Sequence, residues 1–483
     1  MKIISITGLD GSGKSTQAKL LQKKFPNSRI VSVWDIIKRP EFQSWTIYRQ
    51  TPDVENYVTN LHPVSRSMFI FHAFNEAYQK AVQSGVAYLI MDGNWHKYWA
   101  IEQAMGAPAK LGKFIQSLYP VPDFSFYLEL EIDEIVKRKK VISVYEGGHD
   151  NRLEKFRQIQ TRAKDILEKI LPHYTVRIDA RKSIDEIHHE IMQTYAEHQK
   201  TVKQLLADYQ EKLKHIYPPE EITAVFYRLT KYYWNIERLD IALNPQTVIP
   251  DLRMHKALQK LLNYTPWQHI TCGTEFYGKN FLVTKDVLIP RPETEELVSW
   301  VIKDVQSDFD PKENVYILDI GTGSGAIAVN LAYHLKNARV EAVDISTEAL
   351  DIARRNARMH GVKISFDHRD IFKYCDLNRF DIIVSNPPYV RHSEKKDMHP
   401  NVVQHEPATA LFVPDDNPLK FYKRIIDLSL KIKQPQWIYF EINENLKPEL
   451  EALLQSRNIT DYRFKKDIFG KWRMLKLSNQ RKS

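Results

Sequence analysis

The sequence predicts an α/β fold in which two separate α/β units are joined by a helical stretch. Apolar strand-like runs alternate with helical patterns in one stretch that begins at Ile3 and in another that begins near Val315. Between them, at roughly 197–275, the pattern is helical. The length of 483 residues fits about three domains at ~150 residues each. We therefore predict domains at 1–196, 197–280 and 281–483.

Each predicted element has a local reason in the sequence. The first unit contains four apolar runs of the length typical of buried strands, at 3–7, 86–91, 124–130 and 175–178. A capping box, Ser183 followed by Glu186, then begins a helix. The middle stretch has one apolar helical stripe over 202–213, and after the Pro218-Pro219 break a second helix is expected over 220–235. The second unit begins with a strand at 315–318.

Composition and charge exclude several classes of protein. Hydrophobic residues make up 43% of the chain and charged residues 27%, which excludes collagen-like, mucin-like and wholly disordered chains. The first residues form too short an apolar run for a signal peptide, and nowhere do ~18 apolar residues run together. Since no apolar run is long enough, we expect no membrane span. Cys272 and Cys375 are too far apart in the sequence for a CxxC motif and argue against a disulfide scaffold, so we expect a reducing, cytoplasmic compartment. The net charge of +9 is spread over both halves of the chain, without the concentrated excess expected of a duplex-DNA binder, so direct DNA binding is not expected. Phosphate-bearing small ligands or an RNA-associated partner stay open.

A phosphate-binding loop follows the first strand. Residues 8–15 match the pattern GxxxxGK[ST], directly after an apolar run and before a helical stretch. Glycines let backbone N–H groups turn around phosphate oxygens, and the helix that follows presents its positive N-terminus to them. Lys14 would reach the terminal phosphates and the Ser15 hydroxyl would bind the metal, so we predict ATP and Mg²⁺ as ligands. The predicted nucleotide-binding residues of this loop are Gly8, Gly11, Ser12, Gly13, Lys14, Ser15 and Thr16.

The amino-acid sequence of this loop, with the pair Asp10-Gly11, resembles that of the thymidylate kinase family. The resemblance covers about 1–196 and ends at 178–186, which is similar to the last strand and helix of that family. It implies that Asp10 contacts a nucleoside monophosphate, that Arg39 holds the acceptor phosphate, and that Asp92 belongs to the nucleotide site.

Residues 1–196 differ from the thymidylate kinase family in the arginines of the expected active site. The family's Asp-Arg-Tyr corresponds here to Asp92-Gly93-Asn94, so an arginine is missing. The flexible lid would lie within 138–157, where no catalytic arginine can be assigned among Arg138, Arg152 and Arg157. Phosphoryl transfer depends on cations that neutralise charge at the transferred group, so two interpretations stay open. The domain is an active kinase for thymidylate or another acceptor, or it is an inactive nucleotide-binding regulator.

A second glycine-rich loop lies in the second α/β unit. After the apolar run at 317–320 comes a GxGxG pattern, formed by Gly321, Thr322, Gly323, Ser324 and Gly325. Glycines at the carboxyl end of a strand let a nucleotide-like ligand approach the backbone closely. The next strand ends in Asp344, which is placed to accept the two hydroxyls of a ribose. On these residues alone a dinucleotide site is also a fair interpretation, and Asp344 could be a helix cap.

A third motif indicates the chemistry. The apolar run at 382–385 is followed by Asn386, Pro387, Pro388 and Tyr389, which are the predicted catalytic residues. Prolines stiffen the loop and leave carbonyls directed outward, so that the Asn386 oxygen and a proline carbonyl can accept both hydrogens of a planar –NH₂ group. Such a pocket holds the nitrogen in line with a sulfonium methyl, while Tyr389 can stack on the flat group. We predict an S-adenosylmethionine-dependent methyltransferase whose target is adenine N6 or cytosine N4 in nucleic acid, or glutamine in protein.

The upstream segments 266–278 and 287–297 closely resemble the release factor glutamine methyltransferase family, and the resemblance covers about 200–483. It implies a small helical domain that docks a peptide chain release factor and a Rossmann-like domain that methylates the glutamine of its Gly-Gly-Gln loop. It implies that Asn386 contacts both cofactor and glutamine, and that Asp370 and Ile371 flank the adenine, where the family often has a tryptophan in place of Ile371.

These motifs together predict a P-loop kinase-like α/β domain, a small helical bundle and a Rossmann-like methyltransferase domain. The segment 290–295 is expected to cap the helix that follows it and to shape the pocket entrance. A nucleic-acid amino-methyltransferase is the second interpretation, although the chain lacks an evident basic target-recognition domain.

Overall fold

The structure, a computed structural model, describes residues 1–38, 51–139, 141–147, 152–373, 376–432, 434 and 436–479. The chain divides into two compact units, each made of two segments. Unit 1 consists of Met1–Glu211 and Tyr233–Lys256, and unit 2 of Lys212–Tyr232 and Ala257–Ser483. The predicted middle domain, 197–280, contributes residues to both units, and its boundaries stay a prediction.

Unit 1 contains a five-stranded parallel sheet with the order β2-β3-β1-β4-β5. Its strands are β1 (Lys2–Gly8), β2 (Ser28–Val31), β3 (Tyr88–Asp92), β4 (Phe124–Glu129) and β5 (Val176–Asp179). The four predicted strands are present, and the half-buried edge strand β2 is an addition that its sequence did not indicate. Helices cover both faces, which explains why the central strands read as continuous apolar runs.

The helices of unit 1 connect these strands and enclose them. They are α1 (Lys14–Lys24), α2 (Thr51–Thr59), α3 (Pro63–Gln83), α4 (Trp95–Ala104), α5 (Lys110–Leu118), α6 (Ile132–Arg138), α7 (Val144–Gly147), α8 (Arg152–Ile170) and α9 (Ile184–Glu197), with a 3₁₀ helix at Val33–Lys38. The predicted capping box is present at the start of α9, where Ser183 Oγ accepts from the Glu186 N–H and the Glu186 carboxylate accepts from the Ser183 N–H.

The stretch that follows α9 is not purely helical, contrary to the prediction. Two three-residue strands, β6 (Gln199–Thr201) and β7 (Val248–Pro250), form an antiparallel pair. Strands this short show no period-two pattern in the sequence, and their backbone pairing depends on segments that are about fifty residues apart. Beside them Arg253 donates from Nη2 to the carbonyl oxygens of Val121 and Pro122, at 2.7 Å each.

Five helices lie in this middle stretch, which the structure describes throughout, and the first two agree with the predicted helices at 202–213 and 220–235. The five are α10 (Val202–Leu213), α11 (Pro219–Trp234), α12 (Arg238–Leu243), α13 (Leu252–Leu262) and α14 (Trp267–Thr271). The break between α10 and α11 falls at the Pro218-Pro219 pair, because proline is accepted in the first turn of a helix and not in its interior.

Unit 2 contains a seven-stranded sheet with the order β12-β11-β10-β13-β16-β18-β17. The strands from β12 to β16 are parallel, and β18 pairs antiparallel with β16 and β17. These strands are β10 (Val315–Ile320), β11 (Ala338–Asp344), β12 (Ser365–His368), β13 (Ile382–Ser385), β16 (Trp437–Glu441), β17 (Tyr462–Lys466) and β18 (Trp472–Ser478). Two small pairs accompany the sheet, formed by β8 (Gly273–Phe276) with β9 (Lys279–Leu282) and by β14 (Val390–Arg391) with β15 (Phe412–Val413).

Each face of this sheet has its own apolar core. Ile317 and Ile382 lie in one cluster with residues of α15 and α16, whereas Leu318 and Ile383 lie in the other with residues of α20 and α21. This alternation is the period of two that a strand buried on both faces produces. The helices of unit 2 after α14 are α15 (Pro292–Asp308), α16 (Ala326–His334), α17 (Thr347–Met359), α18 (Pro400–His405), α19 (Ala408–Leu411), α20 (Lys420–Ser429) and α21 (Lys447–Ser456).

The structure describes one of the two cysteines and the helices that bear on the predicted absence of a membrane span. Cys272 is a free, exposed thiol, and Cys375 lies outside the described residues. Within the described ranges, every helix is too short or too polar to cross a lipid bilayer.

Candidate active sites

The phosphate-binding loop joins the end of β1, at Gly8, to the start of α1, at Lys14. Gly13 has a left-handed backbone (φ 98°) at the N-terminus of α1, a conformation that a residue with a Cβ adopts only with strain. Ser12 Oγ is buried and has no hydrogen-bond partner in the part of the chain that the structure describes. A phosphate oxygen would satisfy this hydroxyl, so the loop fits a nucleotide ligand.

Three charged side chains meet at this loop: Lys14 and Lys97 are buried, and the Asp10 side chain is 16% exposed. Asp10 Oδ1 lies 2.8 Å from Lys97 Nζ and 4.0 Å from Lys14 Nζ. Lys14 Nζ also donates to the Leu9 carbonyl oxygen, at 2.7 Å. Gln160, on α8, donates from Nε2 to the Asp10 carboxylate (3.2 Å) and accepts from its backbone N–H (3.3 Å). The acidic residue of the loop is therefore fixed by contacts with three different elements.

Burial and mutual attraction set the charge states here. Burial would raise the pKa of Asp10, but the ammonium groups of Lys97 and Lys14 hold that pKa well below its usual range. Burial lowers the pKa of Lys14 to about 8. Burial acts in the same way on Lys97, where the Asp10 carboxylate outweighs it and raises the pKa. Asp10 and Lys97 thus form a fully charged pair.

Lys97 is a functional candidate that the sequence motifs did not reveal. It lies on α4, three residues after the Asp92-Gly93-Asn94 segment in which the family's arginine is missing. Gly93 has φ 74°, and a Cβ there would lie 3.3 Å from Tyr98 Oη, so an arginine would be strained at this place. The signal in the sequence was a lysine on the helix that directly follows β3, close to the place of the missing arginine.

The structure brings together two further predicted residues of this site. Ser15, in the first turn of α1, and Asp92, at the end of β3, line one cavity of about 650 Å³. Lys19, Arg29 and Lys80 line it too, which gives the cavity the positive charges that phosphate groups need. Gly11 and Thr16 lie in the loop and in α1 as predicted, and Arg39 lies outside the described residues.

Two arginines of the predicted lid bind other parts of unit 1 and not the phosphate-binding loop. Arg138 donates from Nη2 to the Ala180 carbonyl oxygen at 2.8 Å, and Arg157 is paired with Asp133. Arg152, the first residue of α8, is exposed. None of these contacts identifies a catalytic arginine among the described residues.

In unit 2 the GxGxG residues form the turn between β10 and α16. Apart from the adjacent residues of the loop, no heavy atom of the described residues lies within 4 Å of where a Cβ would be at Gly321 or at Gly323, so space for a ligand is open beside the backbone. Thr322 and Ser324 are buried, and Gly325 is the residue before the first turn of α16. This open cradle at a helix N-terminus fits the predicted cofactor.

The predicted ribose and adenine residues lie at the carboxyl ends of the neighbouring strands. Asp344 ends β11, and its two carboxylate oxygens accept from the N–H groups of Gly323 (2.8 Å) and Ser346 (2.9 Å). Burial raises the pKa of Asp344, and these N–H donors act against it. Asp370 and the buried Ile371 follow β12, which pairs with β11. The strand order therefore places all four predicted cofactor segments along one edge of the sheet.

A buried carboxyl group beneath the glycine loop was not predicted. Asp319 accepts from Thr322 Oγ1 at 2.6 Å, and burial raises the pKa of Asp319 to about 7. The folded protein therefore keeps this proton up to about pH 7, whereas an unfolded chain releases it near pH 4.

Stability should depend on pH in that window. Folding takes up a proton at Asp319 between about pH 4 and pH 7, so the stability of unit 2 falls as the pH rises through this range, by up to about 4 kcal/mol. We expect Asp319→Asn, which keeps an oxygen for Thr322, to remove most of this decrease. Calorimetric unfolding at several pH values measures it, and an unchanged slope in the variant would contradict the assignment.

The predicted Asn-Pro-Pro-Tyr residues follow β13 and contact a buried carboxylate. Asn386 donates from Nδ2 to Thr294 Oγ1 at 3.3 Å. Thr294 donates from Oγ1 to Glu441 Oε2 at 2.5 Å, and Tyr389 donates from Oη to Glu441 Oε1 at 2.9 Å. Glu441 is the last residue of β16 and is only 1% exposed. Thr294 was predicted only as part of the segment 290–295. Glu441 was not predicted, although an acidic residue at the end of an apolar strand was a signal of the same kind as Asp344.

The segment 290–295 begins helix α15 as predicted, with Pro292 in the first turn. Its side chains do more than cap the helix. Arg291 donates from Nη2 to Glu406 Oε1 (2.6 Å), and Glu295 accepts from the Tyr277 N–H (2.9 Å). Thr294 makes the contacts with Asn386 and Glu441 described above. Its role in shaping the pocket entrance stays a prediction.

The chain is similar to known proteins in both of its parts. A release factor glutamine methyltransferase from Flavobacterium psychrophilum is 41% identical over 282 residues, which make up 57% of this chain and 99% of that relative. This chain belongs to the release factor glutamine methyltransferase family. Another member, from Bacteroides thetaiotaomicron, is 39% identical over 280 residues, again 57% of this chain and 99% of the relative. The family model of the methyltransferase small domain matches residues 304–410.

A second family model matches the N-terminal part of this chain. The thymidylate kinase family model matches residues 6–191, which include the whole phosphate-binding loop. Both resemblances inferred from the motifs are thereby confirmed, together with the α/β fold class. The protein is a methyltransferase enzyme with a thymidylate kinase domain before it in the chain.

Proposed function

We propose that this protein transfers the methyl group of S-adenosylmethionine to the side-chain amide nitrogen of the glutamine in the Gly-Gly-Gln loop of peptide chain release factors. The observation that supports this most strongly is the position of Asn386 at the carboxyl end of β13, the strand that pairs with β10 and its glycine loop. The relatives carry the name of this reaction.

The cofactor pocket uses the edge of the sheet described above. The backbone of Gly321, Gly323 and their neighbours holds the amino acid part, Asp344 accepts the ribose hydroxyls, and Asp370 and Ile371 enclose the adenine. When bound, S-adenosylmethionine supplies an electrophilic methyl group on a sulfonium. Because Asp344 already accepts two backbone N–H groups, its oxygens are held in place before the ribose arrives.

The acceptor pocket is the loop Asn386 to Tyr389. Asn386 Oδ1 accepts no hydrogen bond within the described ranges, so it is free to accept one from the substrate –NH₂ group, as is the carbonyl of Pro387. Pro388 and Tyr389 form the wall against which the flat amide lies. Two fixed acceptors orient the nitrogen towards the methyl group, and no side chain has to remove a proton before the attack.

Residues 197–280 are the part that we assign to docking of the release factor. Three large apolar side chains of this stretch, Leu239, Leu243 and Val248, are between 48% and 69% exposed. Exposed apolar side chains that lie close in sequence are typical of protein-binding surfaces.

The proposal is tested with labelled S-adenosylmethionine. The enzyme is incubated with a release factor, with the same factor carrying Gln→Ala in its Gly-Gly-Gln loop, and with duplex DNA. We expect label on the unmodified factor alone. Label on DNA would favour a nucleic-acid amino-methyltransferase, and equal label on both factors would exclude the loop glutamine as the target.

For residues 1–196 we infer a second activity, phosphoryl transfer from ATP with Mg²⁺ to a nucleoside monophosphate such as thymidylate. Lys97 supports this inference, because it places a buried cation beside Asp10 where the family's arginine is missing. Lys14 would contact the terminal phosphates, and Ser15 would bind the Mg²⁺.

A panel of nucleoside monophosphates with ATP and Mg²⁺ tests the kinase. We expect turnover on at least one acceptor, and a loss of about 10²-fold or more in Lys14→Ala, since the lysine neutralises charge on the transferred group. Phosphorylated product is measured by chromatography. Nucleotide binding without turnover on any acceptor would instead favour an inactive nucleotide-binding regulator.

A further inference from the structure

The hydrogen bonds around Asn386 form a chain whose direction can be read from its chemistry. Thr294 Oγ1 and Tyr389 Oη each donate to one oxygen of the Glu441 carboxyl group, which accepts both hydrogen bonds. A threonine hydroxyl has a single hydrogen. Once Thr294 has given this hydrogen to Glu441, its oxygen can only accept from Asn386. The NH₂ end of the Asn386 amide therefore faces Thr294.

This direction matters because an asparagine amide has two ends of opposite polarity. With its NH₂ end turned to Thr294, Asn386 presents its oxygen on the other side of the amide, and only the oxygen can accept from a substrate –NH₂ group. If the amide were flipped, its NH₂ end would oppose the NH₂ of the substrate glutamine. Two donors that face each other cannot form a hydrogen bond.

The surroundings of Glu441 fix the position of its carboxyl group. Burial raises the pKa of Glu441, whereas the hydroxyls of Thr294 and Tyr389 and the positive charge of Arg473 act against that increase. Glu441 is almost fully buried, and its backbone carbonyl accepts from Tyr422 Oη at 3.0 Å, so the carboxylate is rigidly placed. A fixed acceptor is what a chain of directed hydrogen bonds requires.

We propose that Glu441 and Thr294 are positioning residues that hold the Asn386 amide in the one orientation that can bind the glutamine –NH₂ group. The inference rests on the proposed function, because it assigns Asn386 to the acceptor pocket. It also gives a specific role to the threonine in the segment 290–295, which the sequence predicted to cap a helix and to shape the pocket entrance.

Two substitutions of nearly equal size separate the hydroxyl group from packing. Thr294→Val keeps the shape and removes the hydroxyl, and it should lower kcat for the release factor by about 10²-fold while the Kd for S-adenosylmethionine stays within about twofold. Thr294→Ser keeps the hydroxyl and should retain most of the activity. If the serine variant were as impaired as the valine variant, packing and not the hydrogen bond would be responsible.

Glu441→Gln tests whether Glu441 sets the direction of the hydrogen bonds at Thr294 and Asn386, because an amide can donate as well as accept. We expect kcat to fall by about 10-fold in the wild-type background and by clearly less in Thr294→Val, since the part of the effect that passes through the Thr294 hydroxyl is lost there and only the contact with Tyr389 remains. Equal effects in both backgrounds would overturn the proposal. Asp304→Asn is the matched control, because Asp304 accepts from Tyr439 Oη (2.7 Å) on the same strand without contacting Thr294, and it should leave kcat unchanged.

A measurement without substrate separates this proposal from the proposed function. With isotope-labelled asparagine, the Asn386 side-chain –NH₂ signal is identified by its absence in Asn386→Ala. In the wild type and in Thr294→Ser one of its two protons should exchange with solvent about 10-fold more slowly than the other, and in Thr294→Val both should exchange alike. Equal exchange in the wild type would refute the chain of hydrogen bonds. Failure to methylate a release factor would refute only the proposed function.

Discussion

Replacement of Asn386 by alanine is expected to lower methyl transfer to a release factor by about 10²–10³-fold. The substitution removes the Oδ1 acceptor that orients the substrate nitrogen, and a nitrogen that is free to rotate seldom faces the methyl group. Binding of S-adenosylmethionine should weaken but stay measurable, because Asp344 and the glycine loop are unchanged. Transfer of label and calorimetric titration of the cofactor measure the two effects.

Asn378→Ala is the control for this experiment. Asn378 is an exposed residue shortly before β13, and its hydrogen bonds are to Asp376 in the same loop. Its replacement should leave both transfer and cofactor binding unchanged. Wild-type rates of transfer in Asn386→Ala would refute the assignment of the acceptor pocket.

Replacement of Lys97 by methionine is expected to destabilise unit 1 by about 3 kcal/mol, because it leaves the largely buried Asp10 carboxylate without its nearest cation. In calorimetry of the full chain, one unfolding transition should shift to lower temperature while that of unit 2 stays in place. The double variant Lys97→Met with Asp10→Asn should recover most of the lost stability, since no unpaired charge is left. In both the single and the double variant, we expect turnover of the nucleoside monophosphate to be about 10²-fold below wild type.

The exposed pair Lys137–Glu134 provides the comparison for Lys97. Its ammonium and carboxylate groups are 2.6 Å apart, but the lysine side chain is 70% exposed. Because water screens such pairs, Lys137→Met should leave the unfolding temperature of unit 1 almost unchanged. If Lys97→Met were equally harmless, the buried pair at Asp10 would have no structural role. If the double variant kept normal turnover, Lys97 would have no role in the kinase.

The sequence predicted the parts of the molecule whose signals are local. The strand at 3–7 and the strand at 382–385 are apolar runs that end in loops of unusual composition, and both are present as β1 and β13. The helical stripe at 202–213 is present as α10, because a period of 3.6 needs no information from the rest of the chain. The short pair β6–β7 was missed, since its three-residue strands are stabilised only by each other and by their surroundings.

The motifs also determined which chemistry belongs to which stretch of chain, because a phosphate-binding loop, a GxGxG loop and an Asn-Pro-Pro-Tyr loop each consist of neighbouring residues. Only the tertiary structure could add Lys97 to Asp10, or Thr294 and Glu441 to Asn386. These partners are 87, 92 and 147 residues apart along the chain for the pairs Lys97–Asp10, Asn386–Thr294 and Thr294–Glu441. Such contacts arise where the ends of different strands and helices meet at one edge of a sheet, and no pattern within a single element encodes which side chains meet there.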